Sequence, residues 1–388
     1  MKRALCLVIC FCAIFSLIGC QGNSAGSNQQ PASTDPQHPP ACPDDLIAVA
    51  VPVTTEEHKG QDGKVIFSYS YQHMYLTGPD QKIADAIIID FLNRVDQTRS
   101  VAEGIAQQAQ NAYNGQTSWN AYMYQTTYSP MRIDKGILSL LGTNISVYGG
   151  PHPERTHMAA NYDMLTGEVL TLGSILTHID CAAVLCDLVI ESLNAVKSEK
   201  FLYDGFEETV KEQFKINESY NQRFYFSPDG LCFFFSPYEI APYISGLITV
   251  EIPYAKLTGI LSDAYFPEER ETATGDISLE PFTNEALARF SQFSELNLVS
   301  DGTKLLLHAD GMIHNVRIET GRWNLNGNTF VPEQTVFSAA ALCQYDAIVL
   351  QDLIPDDMPT LRITFDSLGK TISYFISQDN GTILLLPA

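Results

Sequence analysis

Apolar residues recur with two different periods along this chain. From Lys64 to Leu76 they alternate, with Val65, Phe67, Tyr69, Tyr71 and His73 on one side, which predicts a strand. Gly78-Pro79-Asp80 ends that run. Asp80 is placed to cap a helix in which Ile83, Ile87, Phe91 and Val95 keep helical spacing. Alternation returns from Trp119 to Ile133, with Tyr122, Tyr124, Thr126 and Tyr128 on one face, and Ile137 to Tyr148 reads as a further strand. Asn161-Tyr162-Asp163 leads through Leu165-Thr166-Gly167-Glu168, a turn between short strands. Asp180 to Glu199 predicts an amphipathic helix with Leu185, Leu188, Val189, Ser192 and Val196 on one side. Phe224 to Phe226 and Leu231 to Phe235 flank Ser227-Pro228-Asp229-Gly230, a hairpin turn. A strand over Leu247 to Ile252 and a short helix over Tyr254 to Leu261 follow.

The turn-rich, charged stretch from Pro267 to Glu280 makes a plausible domain boundary. Beyond it, a helix is expected over Asn284 to Leu296. Strands are expected over Lys304–Leu307, Met312–Ile318, Ala347–Leu353, Thr360–Phe365, Thr371–Ile376 and Thr382–Leu386, with turns at Asp301-Gly302, Asp310-Gly311 and Asn380-Gly381. The expected fold class is α+β, an antiparallel sheet with packed helices, followed by a small all-β C-terminal domain of sandwich or barrel type.

The first residues read as an export signal. Met1-Lys2-Arg3 is basic, and Ala4 to Ile18 is an apolar run of about fifteen residues, short for a bilayer span but suited to a signal peptide. Leu17-Ile18-Gly19-Cys20 resembles the bacterial lipobox, which implies cleavage before Cys20 and lipidation of its thiol. Anchoring by more than one acyl chain would be stable. Gln21 to about Asp45 is rich in Gly, Ser, Asn, Gln, Thr and Pro, a composition that cannot fold and that reaches roughly 25–30 Å as a tether. No later stretch holds eighteen consecutive apolar residues, so the rest is expected at the outer face of the cell membrane. The expected organisation is a signal peptide at 1–19, the lipidated cysteine and tether at 20–45, an α+β domain pair at 46–266 and a β domain at 281–388.

The formal charge of −22 disfavours nucleic acid and anionic lipid as partners and favours basic ones. Ordinary solubility explains the same balance. Outside the leader and Cys20, five cysteines remain: Cys42, Cys181, Cys186, Cys232 and Cys343. An odd number cannot pair completely, and buried thiols are the expectation.

One region resembles a known family. The pieces are Ile145-Ser146-Val147-Tyr148-Gly149-Gly150-Pro151-His152-Pro153, then Tyr162-Asp163-Met164-Leu165-Thr166-Gly167-Glu168-Val169-Leu170-Thr171-Leu172. Phe226-Ser227-Pro228-Asp229-Gly230-Leu231 and Phe235-Ser236-Pro237-Tyr238-Glu239-Ile240-Ala241-Pro242-Tyr243 follow, and last Gly246 through Ile252-Pro253-Tyr254 with Leu257. This order resembles the RsiV-type extracytoplasmic domain of the lysozyme-sensing anti-sigma factors, which some peptidoglycan deacetylases also carry. The stretch at 64–112 resembles the companion N-terminal half. The resemblance implies an α+β envelope ectodomain that in one branch binds lysozyme, with Tyr148, Gly149, Gly150, His152, Tyr238, Glu239 and Tyr243 as candidate binding residues. This chain has no segment before its apolar run with which to hold a sigma factor, so signalling by regulated cleavage is not expected.

Catalytic signatures are weak. Thr364-Phe365-Asp366 matches the opening of a deacetylase motif, but position 367 is Ser and no histidine follows His314. His152 and His157 beside Glu154 are too few for a metal site. No P-loop, Gly-x-Ser-x-Gly, His-Glu-x-x-His or dinucleotide fingerprint is present. The adjacent acids Glu207-Glu208, Glu268-Glu269 and Asp356-Asp357 read as solvated. Tyr113, Tyr122, Tyr124, Tyr128, Tyr148, Tyr238 and Tyr243 crowd the first domain, either as a contact surface or as half-buried strand residues. The expected function is non-enzymatic binding of lysozyme or a cell-wall component such as peptidoglycan, with no cofactor or metal. The alternatives are a cell-wall enzyme whose acids sit far apart in sequence, and a structural envelope lipoprotein.

Overall fold

The computed structural model describes residues 46–388 except 79, 116–117, 151, 216–222, 269–271, 300–301, 325–328, 353–359 and 380–381. The expected signal peptide, Cys20, the expected tether and Cys42 lie outside the described residues.

The chain opens with β1 (Ala48–Ala50), β2 (Val53–Lys59), β3 (Val65–Gln72) and β4 (Tyr75–Thr77). The long helix α1 (Gln81–Ala112) follows, then β5 (Tyr122–Ile133), β6 (Ile137–Val147) and β7 (Glu154–Asp163). Asp80 caps α1, its carboxylate accepting from the Lys82 N–H at 2.9 Å. Ile87, Phe91 and Val95 enter the core at the spacing read from the sequence. Five strands form one sheet in the order β2-β3-β5-β6-β7. The β3–β5 pair is parallel, because α1 carries the chain back across the sheet.

Next come α2 (Leu172–Ile175), α3 (Cys181–Ala195) and α4 (Phe206–Gln213), then β8 (Phe224–Phe226), β9 (Gly230–Phe235), β10 (Ile248–Pro253) and α5 (Tyr254–Leu257). The three strands make an antiparallel sheet with β9 central. Every residue of β9 is buried. Leu231, Phe233 and Phe235 face Leu185, Val189 and Phe206 of α3 and α4, while Cys232 and Phe234 join Ala159 of β7. A fully apolar run buried on two faces is the reason this strand lacks alternation. Polar bridges fix the two sheets together: the Phe226 N–H donates to Ser139 Oγ at 2.9 Å, and Asn161 Nδ2 donates to the Phe224 carbonyl at 2.9 Å. Gly230 is required where the hairpin passes β10, since a Cβ there would stand 2.4 Å from the Ile252 carbonyl oxygen.

The remaining elements are β11 (Ile277–Pro281), α6 (Asn284–Leu287), β12 (Gln292–Asn297), β13 (Thr303–Ala309), β14 (Ile313–Asn324), β15 (Thr329–Leu342), β16 (Asp346–Asp352), β17 (Leu361–Ser367), β18 (Lys370–Asp379) and β19 (Thr382–Pro387). They build a four-stranded sheet, β11-β13-β16-β12, facing a seven-stranded one, β19-β18-β17-β14-β15-β1-β4. Leu305, Leu307, Ile348 and Leu350 pack against Val316, Ile318, Phe337 and Phe365 between them. Together the elements make an α+β fold. No helix among the described residues is long and apolar enough to cross a membrane.

Two of the expected helices change. The helix expected over Asn284–Leu296 stops at Leu287, and Gln292–Asn297 is a strand parallel to β16. Ser294 and Leu296 turn inward there while Phe293 and Glu295 face out, a period of two rather than 3.6. The short helix expected to reach Leu261 ends at Leu257. The boundary expected at 267–280 is also spanned by strand pairing: β1 pairs antiparallel with β15 (Ala48↔Ala339) and with β4 (Ala48↔Thr77), and the described residues fall in a single compact unit. Of the candidate catalytic motif, Phe365 is core in β17 and Asp366 accepts from Thr371 Oγ1 at 2.7 Å, a strand-end role.

The two tryptophans, Trp119 and Trp323, fall one in each half of the chain. Single-tryptophan variants (Trp119→Phe, Trp323→Phe) therefore report each half separately. Their denaturation midpoints should coincide, and Val49→Ala should lower both together, by about 1–3 kcal/mol. Separate midpoints would show two independently folding domains.

Candidate functional site

The two segments carrying the family resemblance meet in space. The residues leading into β7 bring His152 against the turn between β9 and β10. The His152 ring stacks on Tyr243 with centroids 4.1 Å apart and planes at 23°. Tyr238 lies 5.6 Å from Tyr243, and its hydroxyl is 3.3 Å from His152 Nε2. The Pro153 carbonyl accepts twice, from Tyr243 Oη at 2.8 Å and from His152 Nδ1 at 3.2 Å, so Nδ1 carries a proton and Nε2 faces the Tyr238 hydroxyl.

Tyr238 is held in an unusual backbone state. Its φ is +72°, a left-handed conformation costing about 1–2 kcal/mol for an L-residue. The neighbouring bonds impose it: the Tyr238 N–H donates to the Ala241 carbonyl at 3.0 Å, and the Glu239 N–H to the Ser236 carbonyl at 3.1 Å. The tyrosine is nonetheless 57% exposed. Glu239 closes the turn, accepting from the Ser236 N–H at 2.7 Å and pairing with Arg223 at 2.6 Å.

The Tyr148 end of the candidate set takes other partners. Its hydroxyl donates to Glu154 across the loop and its ring is 37% exposed. Gly149 has φ +92°, where glycine is favoured, and a side chain there would approach the Tyr122 hydroxyl. Gly150 is exposed. The structure thus brings His152, Tyr238 and Tyr243 into one cluster, with Glu239 closing the turn that holds Tyr238 and with Tyr148, Gly149 and Gly150 forming the loop beside it.

His152 and His157 do not share a site. His157 sits within β7 with Nδ1 3.2 Å from Thr143 Oγ1, and its backbone N–H donates to Ser236 Oγ at 3.0 Å. Burial, reinforced by the Arg155 and Arg223 cations, pushes its imidazole down to about 4. Among the described residues no group of three metal-ligating side chains converges. Arg223, which pairs with Glu239 of the Tyr238 turn, carries no signal in the sequence, and Ser236 lies in a family-like segment without any local pattern that reports its bond to β7. The tyrosines divide as their positions dictate: Tyr124 and Tyr128 are core, and Tyr122 stacks on Trp119 at 5.1 Å. Among the described residues no disulfide joins Cys181, Cys186 and Cys232, and Cys186 and Cys232 are buried.

His157 generates a pH prediction. The folded state holds it neutral where the unfolded chain, with an ordinary value of 6.5, binds a proton. Its stabilising contribution is complete above about pH 6.5 and is lost as pH falls toward 4. His157→Gln should flatten the fall in melting temperature across that window relative to the wild type. An unchanged slope would show that the ring is not buried in its neutral form.

Comparison with known proteins adds a family match without an activity. Residues 177–255 match the sequence model of a family described as "Protein of unknown function (DUF3298)". No curated protein matches the chain. The structure is similar to a solved DUF3298 family member from Bacteroides fragilis NCTC 9343, at 19% identity and a TM-score of 0.44, over 57% of this chain and 95% of that one. It is also similar to a DUF3298 family protein from Pseudomonas aeruginosa PAO1, at 14% identity and a TM-score of 0.43, over 58% of this chain and 99% of that one. The matched segment runs from the turn before α3 into α5, so the stretch that matches the family model is the helix-backed three-stranded sheet that carries Tyr238, Glu239 and Tyr243.

Proposed function

We propose that this is a non-enzymatic, lipid-anchored binding protein of the cell envelope, held at the outer face of the membrane through Cys20. Its RsiV-type region presents the His152–Tyr238–Tyr243 surface to a basic wall-active protein of the lysozyme kind. The observation that carries this reading is the convergence of two resemblance-bearing segments, 86 residues apart at their hydrogen-bonded ends, onto one exposed aromatic cluster. Stiff, amphipathic aromatic rings suit a protein-contact anchor, since they lose little entropy on binding and combine an apolar face with a polar tip. The left-handed Tyr238 fits the same view, because a conformation glycine adopts more readily is kept for a side chain that points into solvent. A net charge of −22 favours association with a basic partner through long-range steering.

Charge alone would attract any basic protein, so specificity needs a control. Calorimetry with the full chain at about 0.15 M salt, where the Debye length is about 8 Å, should detect lysozyme binding and none with cytochrome c. Tyr238→Gly should weaken lysozyme binding at least about tenfold while leaving the melting temperature unchanged or raised, because glycine relieves the backbone strain. Equal affinity for both basic proteins, or undiminished binding by Tyr238→Gly, would leave only nonspecific attraction.

The anchor has its own test. Cys20→Ala should leave the protein unprocessed or release it from the membrane, with no palmitate label. Mature, palmitate-labelled Cys20→Ala protein in the membrane fraction would contradict the lipidation site.

A further inference from the structure

A second surface lies on the face of the five-stranded sheet turned away from α1. Tyr124 and Tyr128 of β5 point toward the helix side, so Gln125, Thr127 and Ser129 point the opposite way. Strand register lines them up with β6 and β7 in two cross-strand rows, Thr127–Thr143–His157 and Gln125–Ile145–Arg155. The β14–β15 hairpin forms the facing wall, where Arg322 pairs with Glu333 at 3.2 Å and Gln334 reaches the Tyr128 carbonyl at 3.4 Å. The space between is a cleft of about 480 Å³.

Its lining is unusual in what it leaves open. Among the described residues Arg155 has neither a hydrogen bond nor an ion pair from its side chain, although Arg322 on the opposite wall is neutralised by Glu333. The side chains of Gln125, Thr127 and Ser129 likewise make no hydrogen bond to any described residue, though Thr127 is buried. His157 beside them is neutral at ordinary pH, since burial pushes it down to about 4, so Arg155 is the one unneutralised cation among the lining residues. The cleft therefore offers one unmatched positive charge amid hydroxyl and amide groups.

We propose that this cleft binds a carboxylate-bearing oligosaccharide, with Arg155 receiving the carboxylate and Gln125, Thr127 and Ser129 taking its hydroxyls. A single guanidinium matches a single carboxylate through charge-assisted, paired hydrogen bonds. The volume falls in the range of small-ligand sites, but the polar lining disfavours an apolar ligand. An extended peptide would add to a sheet edge, whereas the floor of this cleft is a sheet face with its backbone already paired. A densely charged anion would meet Glu333 and the −22 charge of the whole chain. The site uses none of the His152–Tyr238–Tyr243 rings and stands independently of the protein partner proposed above.

The test is an array of carboxylated oligosaccharides, their methyl-esterified counterparts, neutral oligosaccharides and acidic peptides, probed with the full chain. Wild type should bind carboxylated saccharides only. Arg155→Gln should lose that binding at least about tenfold, Arg155→Lys should keep part of it, and Tyr238→Gly should bind as wild type. Arg155 is exposed, and coincident tryptophan midpoints in each variant show that the fold is intact. Equal binding of esterified saccharides, preference for acidic peptides, unaltered binding by Arg155→Gln or no saccharide bound at millimolar concentration would each overturn the assignment.

Discussion

The structure depends on one short strand whose two faces belong to two different cores. Leu46, Ala48 and Ala50 point into the sandwich core formed by β13 to β17, while Ile47, Val49 and Val51 point into the core under α1. Strand alternation makes this possible, since successive side chains leave on opposite sides. Neighbouring groups reinforce it. Gln72 is fully buried, donates through Nε2 to the Val51 carbonyl at 2.7 Å and accepts through Oε1 from the Tyr128 N–H, so one amide ties β1 to β3 and β5. A buried amide without those partners would cost on the order of 1–3 kcal/mol, so the network is stable only when all three strands are in place.

That arrangement also positions the two proposed surfaces. β9, buried on both faces, presses the three-stranded sheet onto β7, and the Ser236 hydroxyl holds the His157 backbone in line with the Tyr238 turn. The aromatic cluster is therefore built on paired strands and a bonded turn rather than on a free loop. The polar cleft arises from the same packing: β15 pairs with β1 and lies against β5, which sets its hairpin opposite the open face of the five-stranded sheet. Contacts between chain segments far apart in sequence thus define both places where a ligand is expected.

Local features were legible in the sequence, and non-local ones were not. Asp80 as a cap, the alternation of Val65 to Tyr71, and the Ser227–Gly230 hairpin all express forces acting within a few residues, and each is found where the pattern placed it. The helix expected at 284–296 failed because Gln292–Asn297 finds a parallel partner in β16, a contact outweighing the local preference. The expected boundary at 267–280 reads as a linker in composition, yet Ala48 pairs with Ala339 across it. Nothing around Ala48 announces that partner, because three small or branched apolar residues fit any buried strand. Of the candidate site, His152, Tyr238, Glu239 and Tyr243 were named from resemblance. The stack of His152 on Tyr243 and the role of Arg223 became visible only once β7 and β9 were packed together.

The sharing of β1 between two cores is tested most directly by hydrogen exchange of its backbone amides. If β1 is integral to both, the amides of residues 47–51 exchange as slowly as those of residues 336–342 in β15, through global unfolding alone. Rapid exchange of residues 47–51 while β15 and α1 stay protected would show that the strand frays independently, and would contradict the account of one interlocked body.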